Sequence, residues 1–201
     1  MADGSVIRLK QETNNPWDGN IKITVQETGV KPYGMFFRIP GWAEHAKISV
    51  NGKVVALANK AGSYAALNRT WKAGDVIELV LPMKAQLVES NPLVEENRNQ
   101  VAVQRGPVVY CLESQDFEGK NIFDAVIPSS IVWKAAPVII GGAKVVSLEG
   151  DARLIEKTDW GNSLYHSISK NTTITPIKLI PYFAWGNRGH SEMSVWLPLS
   201  R

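Results

Sequence analysis

The chain has 201 residues, 22 Lys and Arg against 19 Asp and Glu for a formal charge of +3, and 44% hydrophobic residues. That length suits one large domain or two small ones, and the hydrophobic share excludes a disordered chain. Three net charges make too weak a field to argue for a nucleic acid or an anionic membrane, and neither is expected as a partner.

A single cysteine, Cys111, excludes an internal disulfide framework and a multi-cysteine zinc site. No apolar run approaches membrane-spanning length. Residues 1–5 carry no signal-peptide pattern, so the chain reads as intracellular or as lacking a segment that once preceded it.

The predicted elements are almost all strands. Ile21, Ile23 and Val25 alternate with polar residues at period two, and Met35, Phe37 and Ile39 lead to a turn at Pro40-Gly41. Residues 47–50 and 53–55 flank Asn51-Gly52, a hairpin signal because both turn positions tolerate positive φ. Residues 62–67 read as a strand and residues 71–75 as a turn. Ile77, Leu79 and Leu81 share one face of the next strand, which Pro82 ends. A polar connection over about 86–99 reads as the domain boundary.

Strands resume at 100–104 and 107–112, with 117–129 ambiguous. Further short strands are predicted at 130–133, 143–148, 163–169 and 174–180, and Gly141-Gly142 reads as a turn. Met193, Val195 and Leu197 line one face of the last strand. The pattern predicts an all-β chain of two antiparallel β-sandwich domains in tandem, jelly-roll or immunoglobulin-like, over residues 1–98 and 99–201.

Few residues suggest chemistry. Cys111 lies in an apolar strand and reads as a buried core thiol. His45, His166 and His190 form no metal-binding spacing, and no phosphate-binding loop or nucleophile elbow occurs. Glu95 and Glu96 read as solvated loop charges, and Glu89 and Glu113 as edge or surface charges. No catalytic and no metal-ligating residue is assigned.

Seven Trp is a high count, and exposed rings can stack on sugars or plug the ends of sandwiches. The candidate contacts, to carbohydrate or to another domain, are Trp17, Asp18, Trp42, Tyr182, Trp185 and Arg188. Trp196, at strand spacing, reads as core.

An ordered set of segments carries a resemblance. It runs from Gln11-Glu12-Thr13 and Pro16-Trp17-Asp18-Gly19 through Phe37-Arg38-Ile39-Pro40-Gly41-Trp42, Val50-Asn51-Gly52, Trp71-Lys72-Ala73-Gly74-Asp75 and Leu81-Pro82-Met83. It continues through Val101-Ala102-Val103-Gln104-Arg105-Gly106-Pro107-Val108-Val109-Tyr110 to Pro181-Tyr182-Phe183-Ala184-Trp185-Gly186-Asn187-Arg188-Gly189. Over nearly its whole length the chain resembles the C-terminal β-region of bacterial glycoside hydrolase family 127, the beta-L-arabinofuranosidase family.

The resemblance implies an accessory region, inactive alone, whose partner is a missing N-terminal α/α-barrel catalytic domain. The parent enzyme would act on arabinose-containing plant glycans. The family's cysteine nucleophile, acidic residues and zinc site belong to that barrel, so no cofactor is expected in this chain. Phe36, Trp42 and Tyr182 are expected to form part of an apolar patch that the barrel would cover. A bacterial cytoplasmic and an exported location both stay open. So do two alternatives, an independent carbohydrate-binding module and an enzyme built from these β-domains alone.

Overall fold

A computed structural model describes residues 4, 6–56, 60–117, 119–156, 159–167 and 172–201. Residues 1–3 and 5 of the N-terminal segment, and 168–169 of the strand predicted at 163–169, lie outside the described residues. The chain is all-β, and its described helical segments are 3₁₀ turns of three residues. It divides into residues 1–84 and 85–201.

The first unit holds β1 (Arg8–Thr13), β2 (Asn20–Glu27), β3 (Tyr33–Arg38), β4 (Lys47–Val50), β5 (Lys53–Val54), β6 (Tyr64–Arg69) and β7 (Val76–Val80). β1-β2-β7-β4-β5 form an antiparallel sheet, and β3 pairs with β6. Period-two alternation sends Val25, Ile48, Ile77 and Leu79 from the sheet, and Phe37 and Leu67 from the β3–β6 pair, into one core. On the sheet's other face the register aligns Glu12 with Lys22, Lys22 with Glu78, and Glu78 with Ser49. Polar and oppositely charged neighbours of this kind favour that register.

Gly19 is needed where β2 begins. A Cβ there would lie 1.8 Å from the Leu81 carbonyl oxygen, and the two backbones are joined by Leu81 N–H donating to Gly19 O at 2.9 Å.

The second unit holds β8 (Ala85–Val88), β9 (Gln100–Arg105), β10 (Val108–Glu113), β11 (Ala125–Pro128), β12 (Lys134–Ile140), β13 (Ala143–Ile155), β14 (Thr172–Pro181), β15 (Met193–Ser194) and β16 (Leu197–Ser200). Pairing runs β10-β14-β13-β11-β16-β9, and β9 also pairs with β10, so the sheet closes on itself. The expected sandwich is therefore replaced here by a closed barrel, which leaves no open sheet edge in that ring. One of its pairs, β11–β16, is parallel. Its core includes Val103, Tyr110, Leu112, Ile127, Leu148 and Leu179.

Several sequence expectations shift for local reasons. The division falls earlier than 98/99 because β8 pairs with β9, which ties residues 85–88 to the second unit. The strand predicted at 130–133 lies instead at Lys134–Ile140, across the Gly141-Gly142 turn from β13. Pro137 weakens that signal, yet among the described residues β12 pairs with β13 alone, and an edge strand tolerates proline. β11 occupies part of the ambiguous stretch 117–129. Residues 163–167 form no strand, and the last predicted strand is broken into β15 and β16 around Trp196, which is only partly buried.

Candidate functional site

The six candidate contacts fall into separate settings. Trp17 and Asp18 sit in the turn before β2, where Trp17 is half-buried and Asp18 Oδ1 accepts from Asn20 N–H at 2.9 Å. Asp18 thus shapes the turn. Trp42, after the Pro40-Gly41 turn, packs partly buried against the first unit's core. Phe36 is exposed on β3. Tyr182 is exposed on the 3₁₀ turn that follows β14, and Trp185 is exposed just after it.

Arg188 points inward. Its guanidinium binds Glu113, whose side chain is fully buried, and Asp116, donating to Asp116 Oδ1 at 3.1 Å. Lys178 on β14 reaches the same carboxylate at 2.9 Å. Ser191 Oγ donates to Glu113 Oε1, and Gln115 Nε2 donates to the Arg188 carbonyl at 3.0 Å. Burial raises the Asp116 pKa, but hydrogen bonds from Arg188 and Lys178 outweigh it and hold the carboxyl below the ordinary aspartate range. Hydrogen bonds that Arg188 donates to Asp116, opposed by burial and reinforced by those to Glu113, keep Arg188 charged.

Glu113 was expected at an edge or surface, and the structure corrects this. β10 lies inside the closed ring, flanked along its length by β9, β14 and β15, so its end is covered. Glu113 and Arg188 are 75 positions apart, and no local pattern in the sequence links them.

Asp75 is buried in the first unit and bound by Asn51 and Lys72, whereas Glu95 and Glu89 are solvated. Glu95 lies exposed in a 3₁₀ turn and meets Arg98 at 3.4 Å. Glu89 pairs with Arg201 at 2.7 Å. An open hollow on the second unit is lined by Asp116, Glu149 and Asp151, but also by Lys134 and Lys178. In register, Lys134 and Lys178 flank Glu149 on the two neighbouring strands.

Cys111 is fully buried, and burial, then the Glu113 charge, push its thiol up to about 12. All three histidines are exposed. A fully buried thiol pushed up this far stays protonated at neutral pH, as a core residue does. Among the described residues no three His, Cys, Asp or Glu side chains converge to hold a metal ion.

Comparison with known proteins covers the chain in two adjoining blocks. Residues 1–83 match the profile described as "Beta-L-arabinofuranosidase, GH127 middle domain", and residues 85–198 match "Glycoside hydrolase family 127 C-terminal domain". The non-reducing end beta-L-arabinofuranosidase of Bifidobacterium longum subsp. longum is 31% identical over 96% of this chain and 30% of its own length. A solved structure described as a glycoside hydrolase superposes with a TM-score of 0.92 at 47% identity, over 97% of this chain and 32% of that one. A GH127 beta-L-arabinofuranosidase from Geobacillus stearothermophilus T6 gives a TM-score of 0.91 at 36% identity, over 98% of this chain and 31% of that one. The chain spans about a third of the length of these relatives.

Proposed function

The chain belongs to glycoside hydrolase family 127, whose middle and C-terminal domains it carries, and from this we propose that it is the non-catalytic β-region of a longer beta-L-arabinofuranosidase-like enzyme. In this reading an α/α-barrel precedes residue 1, performs the hydrolysis of arabinose-containing plant glycans and holds any zinc. The two β-units pack on that barrel and help shape its substrate cleft. In the first unit the layering of a five-stranded sheet and a two-stranded pair over one core supports a small sandwich.

One observation carries the non-catalytic part of the reading. Among the described residues Glu113 and Asp116 are the buried carboxylates that share one cation, and both are held by the partly buried Arg188. Hydrolysis of a glycosidic bond needs an acid free to give its proton and a second group free to attack or to activate water. Carboxylates committed to a guanidinium perform neither step.

The test is an assay on an aryl beta-L-arabinofuranoside with the full-length protein and with residues 1–201 alone. Turnover by the full-length protein and none by the 201-residue chain is expected. Turnover by the chain alone would overturn the reading. Tight binding of arabinose oligosaccharides by the inactive chain would favour a carbohydrate-binding module instead.

A further inference from the structure

Tyr182, Phe183 and Trp185 are 48%, 61% and 42% exposed within four consecutive positions. Clustered exposed rings of this kind mark contact surfaces more often than solvated ones. The backbone that presents them is held from several sides. Ala184 is buried, and Asn187 Nδ2 donates to its carbonyl at 3.1 Å. Arg188 is clamped by Glu113 and Asp116, and its carbonyl accepts from Gln115. Ser114 N–H donates to Glu192 O at 2.9 Å, and Glu192 N–H donates to Ser114 Oγ at 3.1 Å.

The tip of the β12–β13 hairpin also abuts the segment. A Cβ on Gly141, which has φ +55°, would lie 3.1 Å from Asn187 Cβ. The rings therefore stand on a preformed support, and a partner that covers them need not first order a loop.

The nearby polar groups indicate which kind of partner fits. A sugar site needs donors and acceptors beside the ring to engage hydroxyls. Here the Arg188 guanidinium faces two carboxylates, and the Asn187 amide donates to the backbone carbonyls of Ala184 and Trp185. What these two side chains leave outward is mainly the faces of three rings, with the Tyr182 hydroxyl and the Trp185 indole N–H as polar handles, a mixture that suits a protein surface.

We propose that Tyr182, Phe183 and Trp185 are the docking contact for the region that precedes residue 1 in the longer enzyme, an inference that rests on the reading of this chain as part of one. The matched profiles are a middle and a C-terminal domain, and the relatives are about three times as long as the chain. A covalently attached region of that size supplies the occupant at high effective concentration.

Hydroxyl-radical footprinting read by mass spectrometry tests this, applied to the 201-residue chain and to the full-length protein with a free reporter peptide to equalise dose. Samples are accepted when Trp71 and Tyr110, each 1% exposed, stay unreactive. Tyr182, Phe183 and Trp185 should oxidise several-fold more slowly in the full-length protein. Equal rates in the two proteins overturn the inference. Protection of the shorter chain that appears only as its concentration rises identifies a second copy as the occupant and overturns it as well. Protection that appears only when an arabinose oligosaccharide is added identifies a glycan, with the same consequence. The arabinofuranosidase assay fails separately: covered rings in a protein without that activity keep the docking and remove the enzyme reading.

Discussion

Arg188 lies between two carboxylates, and the Glu113 side chain has no access to water. Removing the cation while keeping its length, as in Arg188→Met, strands a buried charge, which costs about 3–5 kcal/mol. The urea midpoint of the second unit should fall accordingly, whereas a shift within error would mean that the clamp contributes nothing to stability. Asp116 gives the same cluster a pH dependence. Its folded pKa is lowered, so its contribution is fully present above the ordinary aspartate range and is lost as pH falls below about 4. Asp116→Asn should be less stable than the parent at pH 7 and lose less on acidification. Parallel stability curves for the two proteins below pH 4 would sink this assignment.

Between elements, the turns were the most legible part of the sequence. Asn51-Gly52 forms the expected two-residue hairpin loop, with φ of 50° and 74°. Its connection to the turn at residues 72–75 was not legible, because the two are separated by 24 positions. Asn51 Nδ2 donates to Asp75 Oδ1 at 2.8 Å, Val76 N–H donates to Asn51 Oδ1 at 2.8 Å, and Lys72 N–H donates to Asp75 Oδ2 at 2.9 Å. Asn51→Gly keeps the positive φ but removes the amide, and should cost the first unit about 1–3 kcal/mol through the donors and acceptors left unpaired. An unchanged thermal midpoint would show that water replaces these bonds without loss. The same limit explains the other misses. Period-two alternation revealed β2 and β7, whose faces differ. It also found β10, expected at 107–112, but it gave no warning that the terminal Glu113 is buried, because Tyr110 to Glu113 are buried without alternation. The aromatic residues of 182–185 were readable as a contact, but the cluster that supports them came together only through strand pairing.

At the scale of the whole chain, the place of the boundary decides what can fold alone. Every pairing of β8 to β16 lies within residues 85–201, where the ring closes over its own core. A fragment of residues 85–201 should therefore give a dispersed NMR spectrum and one cooperative thermal transition. Cutting at 98/99, where polar composition suggested the boundary, removes β8. Its Leu87 stands opposite Val103, and Ala85 and Leu87 both pack against the core. Losing them bares one side of β9 along residues 102–105 and leaves part of the core uncovered. The 99–201 fragment should consequently melt at a lower temperature than the 85–201 fragment, or aggregate. Equal midpoints would return β8 to the linker and place the structural boundary at 98/99, where the polar stretch ends.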